Sequence, residues 1–350
     1  YGEDAKKYRY IVDTFRKTFL EYNFQEIILP YVEDISLFKR SVGEATDIVQ
    51  KEMYVFKDKG DREVALRPEG TAGCVRAYIE ERIYAEGGYH KLFYEGAMFR
   101  YERPQAGRYR QFHQIGAEIF GISSYLADVE LINMVYKILK NLKVDFRLEI
   151  NTLGDFQSRK TYIAKLVDYL KEYENFLCQD CKRRIYENPL RVLDCKVESC
   201  KEITKNAPKI TENLPKDATD RFEKIKESLK SLGVDFIENP RLVRGLDYYT
   251  HTVFEFVSQE IGSQGTIAAG GRYDNLVEQL GGPPTPALGF AAGIERLILL
   301  VKQLPPEKPL LVIIPLDQDY HIQALKLSEK AREKQIQTEL LLKEGSLKSM

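Results

Sequence analysis

Residues 111–120, QFHQIGAEIF, place polar side chains where they could bind a small ligand. Side chains alternate between the two faces of a β-strand. One face carries Phe112, Gln114, Gly116 and Glu118, and the other carries His113, Ile115, Ala117 and Ile119. An amide and a carboxylate thus flank a glycine, whose missing side chain leaves room for ligand atoms beside the backbone. A solvated strand face shows the same pattern, so this stretch alone leaves both interpretations open.

The segment before this strand, RYERPQAGRYR at residues 100–110, is a loop rich in arginine. Its arginines are Arg100, Arg103, Arg108 and Arg110. Guanidinium groups match phosphate oxygens in charge and geometry, and a loop with Pro and Gly can close over a nucleotide or a nucleic-acid end. An arginine-rich hairpin on a solvated surface is the alternative interpretation.

Four of the five cysteines, Cys178, Cys181, Cys195 and Cys200, lie in one short segment. Their spacing is C-x2-C, thirteen residues, then C-x4-C, which could hold a tetrahedral zinc ion. The second pair is wider than in the usual zinc ribbon, and the residues between the pairs are patterned, so reduced structural thiols are the preferred interpretation. Cys74 is expected in the core.

The glycines of AAGGRYD at residues 268–274 suggest a phosphate-binding loop at first sight. The stretch lacks the Lys-Ser/Thr ending of a P-loop, and its glycines do not have the spacing of a dinucleotide fingerprint. Both interpretations are therefore rejected.

Composition sets wide limits on function. The 350 residues include 52 Lys+Arg and 53 Asp+Glu, a net charge of −1, so any nucleic-acid surface has to be a local patch. No apolar run approaches the roughly 20 residues that span a bilayer, and no signal peptide precedes Tyr1. These features favour a cytoplasmic protein with no membrane partner, although a chain that does not start with Met can have lost its beginning.

The elements that must position these residues follow from periodicity and turn signals. The pattern of residues 5–24 predicts an amphipathic helix, and that of residues 24–34 predicts a strand that Pro30 ends. Residues 53–70 are predicted to form a hairpin. Helices are expected through 71–84 and 126–142, a strand through 145–151, and further strands at 244–257, 264–274 and 287–293. The sum is an α+β fold, an antiparallel sheet flanked by helices.

Changes in composition along the chain predict four parts. Residues 1–154 form the first part of a core, and the Lys/Glu-rich residues 155–237 form a helical insertion. Residues 238–304 complete the core. Residues 305–350 hold a Pro-bearing linker and the start of an α/β domain that we expect to be truncated, since a strand, a helix and a short strand bury little core.

Five stretches, in order, resemble motifs of the histidyl-tRNA synthetase family of class II aminoacyl-tRNA synthetases. Residues 98–118 (MFRYERPQAGRYRQFHQIGAE) resemble motif 2, and residues 287–297 (ALGFAAGIERL) resemble motif 3. The amino-acid loop matches RPEGT at 67–71, and the two histidine-specific motifs match LVRGLDYYTHTVFE at 242–255 and AAGGRYD at 268–274. The resemblance covers essentially the whole chain and implies the class II fold, with a C-terminal α/β anticodon-binding domain.

The resemblance implies an ATP site built from arginines. Arg100 would bind the α-phosphate, Arg296 the γ-phosphate, and Arg108 and Phe112 other parts of ATP. Arg244 would be the family-specific catalytic arginine, on the α-phosphate and the substrate carboxylate, together with Arg100. A structural pairing of Arg244 with Asp247 is the alternative. Such cations fit an in-line attack at phosphorus, which needs no protein nucleophile.

The resemblance also implies the amino-acid and tRNA contacts. Glu69 and Gln114 would bind the α-amino group of histidine, with Gly70 and Thr71 beside them. Glu118 and Tyr249 would face the imidazole, whose two nitrogens a carboxylate and a phenol can satisfy, and Tyr248 would line the pocket. Arg103 and Gln105 would contact the acceptor end of tRNA.

The implied activity is ligation of L-histidine to tRNA(His) with ATP and Mg²⁺. Pro30 falls where motif 1 builds the class II dimer interface, so the resemblance also implies a homodimer. Non-catalytic paralogues that bind histidine and regulate ATP phosphoribosyltransferase are the alternative, but they usually lose the catalytic arginines and the tail. Arg100, Arg244 and Arg296 are present here. A plain RNA-binding module would leave Glu69, Gln114 and Glu118 unexplained.

Overall fold

The computed structural model describes residues 1–43, 46–243, 246, 248–262 and 265–341, except for the side chains of Phe156 and Asn213. The chain forms two compact units, one covering Tyr1–Lys302 and the other beginning at Gln303. None of the helices among the described residues combines the length and apolar character that crossing a lipid bilayer requires.

The first unit is built on an eight-stranded sheet in the order β1-β5-β6-β11-β10-β9-β7-β8. Its strands are β1 (Gln25–Glu26), β5 (His90–Phe99), β6 (Gln111–Phe120), β7 (Arg147–Thr152), β8 (Ile237–Glu238), β9 (Thr250–Val257), β10 (Thr266–Arg272) and β11 (Ala287–Gly293). The short outer strands β1 and β8 pair parallel to their neighbours, and the six central strands pair antiparallel. The predicted antiparallel sheet is therefore confirmed.

Helices cover one face of this sheet. They are α1 (Gly2–Glu21), α4 (Tyr125–Asn141), α8 (Lys216–Ser231) and α10 (Ile294–Leu300). In α1 the apolar residues recur at helical spacing, so Ile11, Phe15 and Phe19 are all buried against the sheet. They meet Ile115 and Ile119, which lie on the apolar face predicted for β6. The amphipathic helix predicted near the N-terminus is thus confirmed.

The opposite face of the sheet carries a second buried cluster. Helices α3 (Thr71–Glu80) and α9 (Leu276–Gln279) contribute to it. A third cluster packs α2 (Ile35–Val42) on a three-stranded antiparallel sheet of β2 (Val32–Asp34), β3 (Val55–Lys57) and β4 (Glu63–Leu66). A π-helical turn covers Ile48–Glu52, and a 3-10 turn covers Ile83–Glu86. The predicted hairpin is confirmed as β3 and β4.

The prediction of one strand ended by Pro30 was wrong in its extent. Only β1 and the separate strand β2 form. Ile27 still donates its backbone N–H to the carbonyl of Phe93 at 2.8 Å, and the chain leaves the sheet after it. The buried guanidinium of Arg67 replaces strand partners there: its Nη1 donates to the carbonyl of Leu29 at 2.8 Å, and its Nε donates to the carbonyl of Ala97 at 2.9 Å. A proline without an N–H group and a side chain that satisfies the carbonyls together end the strand early.

The described residues between β7 and β8 form helices and turns, as predicted, except that Ile237 at the end of the predicted segment 155–237 belongs to β8. The segment contains α5 (Phe156–Glu172), α6 (Gln179–Glu187), α7 (Glu198–Lys205) and α8, with 3-10 turns at Glu174–Phe176, Pro189–Val192 and Ile210–Asn213. Helix α8 packs on α4, and Arg221 of α8 binds Asp128 of α4 at 2.7 Å. Asp128 also binds the buried Arg272 of β10 at 2.7 Å, so one carboxylate links both helices to the sheet.

The second unit contains a β-α-β arrangement. Strands β12 (Leu311–Ile313) and β13 (Thr338–Leu340) pair in parallel, and α11 (His321–Glu333) connects them after a 3-10 turn at Gln318–Tyr320. The predicted strand and helix after the proline-bearing linker are confirmed. The division into four parts made from the sequence stays a prediction.

Candidate active site

The carboxylate of Glu118 is the most enclosed polar group on strand β6. It is fully buried and accepts three hydrogen bonds from hydroxyl groups. Thr71 Oγ1 donates at 2.7 Å, Tyr94 Oη donates at 3.0 Å, and Tyr273 Oη donates to the other oxygen. We call Glu118 and these three donors the carboxylate pocket. A carboxylate has about four lone-pair sites, so capacity for one more donor remains.

Burial dominates the electrostatics of this pocket. It raises the pKa of Glu118 to about 8, although the hydrogen bonds from Tyr273 and Thr71 oppose the shift. The nearby charge of Glu69 acts in the same direction as burial. A proton donor or a cationic ring that reached Glu118 would therefore relieve an unfavourable buried charge.

Two tyrosines of the carboxylate pocket were missed as Glu118 partners by the sequence analysis. Tyr94 lies on β5 directly opposite Gly116, and a Cβ atom at Gly116 would lie 2.6 Å from its hydroxyl. The expected gap at Gly116 is thus filled by Tyr94 and is not open to a ligand. Tyr273 follows β10 within AAGGRYD. The alternation of side chains along β5 predicts which other residues of that strand share a face with Tyr94. Only the register of β5 against β6 places Tyr94 opposite Gly116.

Glu69 and Thr71 lie where the chain enters α3. The Glu69 carboxylate accepts the backbone N–H of Thr71 at 2.6 Å and that of Ala72 at 2.9 Å. It therefore satisfies two of the unpaired N–H groups at the helix start. Gly70 lies against the Tyr94 ring, with no space for a side chain. The predicted residues of RPEGT thus lie beside the carboxylate pocket.

Tyr248 and Tyr249 are both buried next to this pocket. Their ring centroids are 4.7 Å apart, and the ring of Tyr248 lies 5.4 Å from that of Tyr273. Burial raises the pKa of Tyr248, and the charges of Glu69 and Glu118 add to the effect. The predicted catalytic residue Arg244 precedes them and lies outside the described residues.

A second, more open cavity begins at the other end of β6. Its lining includes Arg100, Glu102, Arg108, Phe112, Gln114 and Arg296, and we call these residues the arginine cavity. Gln114 and Glu118 are four residues apart, which corresponds to about 14 Å along a strand. The Oε1 atom of Gln114 is buried without a hydrogen-bond partner among the described residues. Such an atom indicates a site for a polar ligand.

Other groups of the protein hold the arginines in place. Arg100 donates from Nε to the carbonyl of Pro68 at 2.9 Å, and its guanidinium lies 5.3 Å from the centre of the Phe112 ring. Arg108 lies 3.0 Å from the carboxylate of Glu102. Arg296, on α10, donates to the carbonyl of Thr266. Positive charge from the loop between β5 and β6 and from α10 is thus gathered at one cavity.

The tip of the loop between β5 and β6 is exposed. Arg103 and Gln105 lie there on the surface, and the backbone of Gln105 pairs with that of Arg108. Neither side chain lines the arginine cavity. The structure therefore separates Arg100 and Arg108, which face the cavity, from Arg103, which faces solvent.

The four clustered cysteines also come together. Their sulfur atoms all lie within 4.8 Å of one another, between α6 and α7. All five cysteines are free thiols, and Cys74 is buried in α3, as expected.

Comparison with known proteins agrees with this arrangement. The model of a protein family described as histidyl-tRNA synthetase matches residues 1–297. The chain belongs to the histidyl-tRNA synthetase family. A histidine–tRNA ligase of Aquifex aeolicus is 55% identical over 348 residues, which cover 99% of this chain and 86% of that protein. A histidine–tRNA ligase of Campylobacter hominis is 53% identical over 320 residues, with 91% and 78% covered.

A solved structure of the same family shares the fold. The apo histidyl-tRNA synthetase of S. aureus superposes with a TM-score of 0.80 at 36% identity, covering 100% of this chain and 84% of that one. The predicted class II synthetase fold is therefore confirmed. As a member of this family, the chain is an aminoacyl-tRNA synthetase, a ligase, and the predicted enzyme class is confirmed with it.

Proposed function

We propose that the chain joins L-histidine to tRNA(His) through a histidyl-adenylate intermediate. The observation that carries the proposal is the pair of adjoining sites along β6: a buried carboxylate pocket, and a cavity with three arginines. In the first step a histidine carboxylate oxygen bonds to the α-phosphorus of ATP. The bond from that phosphorus to the bridging oxygen breaks, and pyrophosphate leaves. The 3′-terminal ribose hydroxyl of the tRNA then attacks the acyl carbon, and AMP leaves.

Histidine binds with its imidazole towards Glu118 and Tyr249 and its α-amino group towards Gln114 and Glu69. The unpartnered Gln114 oxygen can accept from the ammonium group, and Glu118 keeps capacity for one imidazole N–H. Apolar side chains of similar size would leave the Glu118 carboxylate without that donor. A hydrogen bond to a charged group contributes about 1.5–3 kcal/mol, so the pocket discriminates against side chains that cannot form it.

ATP binds in the arginine cavity. Arg100 binds the α-phosphate, Arg296 binds the γ-phosphate, and Arg108 and Phe112 complete the contacts. Arg244 binds the α-phosphate and the histidine carboxylate. These fixed cations stabilise charge that develops at the α-phosphorus, which is the main contribution a protein makes to phosphoryl chemistry of this kind.

Mg²⁺ accompanies ATP and neutralises part of the phosphate charge when bound. The carboxylates nearest the cavity are already engaged, because Glu102 binds Arg108 and Glu295 binds His113. The phosphate oxygens and water would therefore supply most of the ligands of the ion, as is common for Mg²⁺.

The acceptor end of tRNA(His) approaches along the loop between β5 and β6. Arg103 and Gln105 are exposed there and can bind the nucleic-acid backbone without leaving the ATP site incomplete. The unit that begins at Gln303 serves as an anticodon-binding domain. The segment 155–237 serves as an insertion domain.

The working form is a homodimer. An apolar surface near β2 supports this, because Ile28 is 90% exposed and Tyr31 and Val32 are about half exposed. Motif 1, which builds the dimer interface of class II synthetases, falls at these residues, and exposed apolar clusters typically mark protein contacts.

The decisive experiment is ATP–pyrophosphate exchange with each of the twenty amino acids in turn. We expect exchange with histidine alone, since adenylation needs only the residues that bind histidine and ATP, and Glu118 selects the imidazole. Exchange with another amino acid would contradict the specificity assigned to Glu118. Histidine binding by calorimetry without any exchange would contradict the synthetase function and favour a regulatory paralogue.

A further inference from the structure

The cysteine cluster lies outside the two sites along β6 and plays no part in the proposed reaction. Cys178 precedes the first residue of α6 and Cys181 lies in its first turn. Cys195 follows the 3-10 turn Pro189–Val192, and Cys200 lies near the start of α7. Three separate elements therefore deliver one or two thiols each to a single point.

The distances between the sulfur atoms match a metal site. All four lie within 4.8 Å of one another, and Cys178 Sγ lies 3.9 Å from Cys195 Sγ. A tetrahedral zinc ion with Zn–S bonds of about 2.3 Å places its sulfur ligands about 3.8 Å apart. A disulfide requires an S–S distance of about 2.05 Å, and no pair is bonded in this way.

We propose that Cys178, Cys181, Cys195 and Cys200 bind one Zn²⁺ ion as a tetrahedral tetrathiolate site. Four thiolates and no imidazole or carboxylate form a closed, structural site without an open position for substrate. Tetrahedral sulfur coordination selects zinc over the hard cations Mg²⁺ and Ca²⁺.

Two features of the backbone can stabilise thiolates that bind a metal here. The backbone N–H of Cys178 donates to Cys200 Sγ, with a nitrogen–sulfur distance of 3.3 Å. Cys178 and Cys181 lie at the N-terminal end of α6, where the partial positive charge of the helix stabilises anions. Three of the four residues are buried, so a bound ion would be shielded from water.

The wide second pair was one of the two sequence-based reasons to prefer reduced thiols, and the structure removes this one. The residues after Cys195 turn into α7, which brings Cys200 back over the first pair. The two extra residues of C-x4-C relative to C-x2-C are therefore taken up by the helix start, and they do not separate the sulfurs.

A bound metal would stabilise the short helices around the cysteine cluster. Helices α6 and α7 have nine and eight residues, too short to be stable without tertiary contacts. A zinc ion would join them to the turn between them, since structural zinc sites contribute their binding energy to folding. The joined segment carries Arg184 and Arg191, whose guanidinium groups lie 3.3 and 3.8 Å from Asp47. Zinc would thus also hold this contact with the first part of the chain.

The first test is elemental analysis of the full-length chain purified without chelators from zinc-supplemented cells. We expect one zinc ion per chain, lost in the double variant Cys178→Ser/Cys181→Ser. The double variant removes two ligands, because a site with three thiolates can keep zinc with water as the fourth ligand. The matched control is Cys74→Ala, which also removes a buried thiol and should keep its zinc.

Zinc-free wild-type chain, iron in place of zinc, or a double variant that keeps wild-type zinc content would each overturn the proposal. A second measurement, on the wild-type chain, keeps the proposal testable if the double variant fails to fold. Wild-type chain treated with a strong chelator should show a lower melting temperature, and its four cluster thiols should become open to alkylation. Added Zn²⁺ should reverse both changes and added Mg²⁺ neither. Unchanged melting and alkylation after complete metal removal would also overturn the proposal.

Discussion

The carboxylate pocket and the arginine cavity lie at opposite ends of one face of β6, and they are organised differently. In the pocket, every donor already binds Glu118, and water is excluded. In the cavity, the arginines are held by carbonyl oxygens and by Glu102, and Gln114 has an unused oxygen. The contrast suggests that selection of the amino acid relies on a preformed buried shell. Under the proposed function, phosphate binding would rely on cations that exchange protein partners for the nucleotide.

The largest effect is expected from removing an arginine of the arginine cavity. Arg100→Ala should lower the rate of adenylation about 100- to 1,000-fold, the usual loss when one donor to developing charge is removed. Histidine affinity should change little, because the carboxylate pocket stays intact. Single-turnover adenylation and calorimetry would separate the two quantities. Arg62→Ala, an exposed arginine paired with Asp58, is the control. Equal losses in rate and affinity would contradict the division of labour.

A substitution in the carboxylate pocket should have the opposite effect, weakening histidine binding more than ATP binding. Glu118→Gln should weaken histidine binding by about 10- to 100-fold, since hydrogen bonds to charged groups contribute about 1.5–3 kcal/mol. ATP binding should stay near its wild-type value. Calorimetric titrations with histidine and with ATP measure both. Unchanged histidine affinity and selectivity in this variant would remove Glu118 from the amino-acid site.

The same residue should make stability depend on pH. With a folded-state pKa of about 8 and an ordinary unfolded-state value, Glu118 keeps a proton in the folded chain that the unfolded chain releases. The unliganded chain should therefore lose stability as pH rises from about 4.5 to about 8, by at most about 1.4 kcal/mol per pH unit from this group.

Denaturant unfolding at a series of pH values tests this slope. Glu118→Gln should flatten it, because the amide does not titrate. Glu149→Gln, which replaces another buried carboxylate outside the pocket, serves as a comparison. A variant curve parallel to the wild-type curve would show that Glu118 is already ionised at low pH.

The smallest effect is expected at the edge of the arginine cavity. His113 Nδ1 lies 2.8 Å from Glu295, and this hydrogen bond raises the pKa of His113. Glu295→Gln should lower that pKa towards its usual value, by a shift visible in an NMR titration of the four histidines. Because the folded-state pKa of His113 is raised, protonated His113 contributes to the free energy of unfolding. This contribution is complete below the unfolded-state pKa of about 6.5 and is lost as pH rises through the folded-state pKa. A resonance of His113 that titrates unchanged in Glu295→Gln would show that the pair is not coupled.

Periodicity identified much of the frame of the site. The alternation in β6 correctly separated Glu118 and Gln114 from the buried Ile115 and Ile119, because the period of a strand depends only on the chain itself. The arginine-rich loop was also visible, since charge and turn residues are local features. The family motifs added the roles of individual residues, and those assignments remain proposals.

What the sequence could not show depends on which segments meet. Tyr94 and Tyr273 bind Glu118 from β5 and from the end of β10, and neither contact can be read from spacing. The early end of the strand before Pro30 depends on Arg67, a residue 37 positions further along the chain. In each case a distant side chain satisfies a group that local patterns treat as unpaired.

The sequence by itself determined the periodicity of the helices and strands, the face of β6 that carries Gln114 and Glu118, and the membership of the chain in its family. Only the tertiary structure decided that three hydroxyls enclose Glu118 and that four cysteine sulfurs meet at one point. The physical reason is that side-chain direction follows from local backbone geometry. Proximity across the chain depends instead on strand register, helix packing and turns, which are settled by the burial of the whole core.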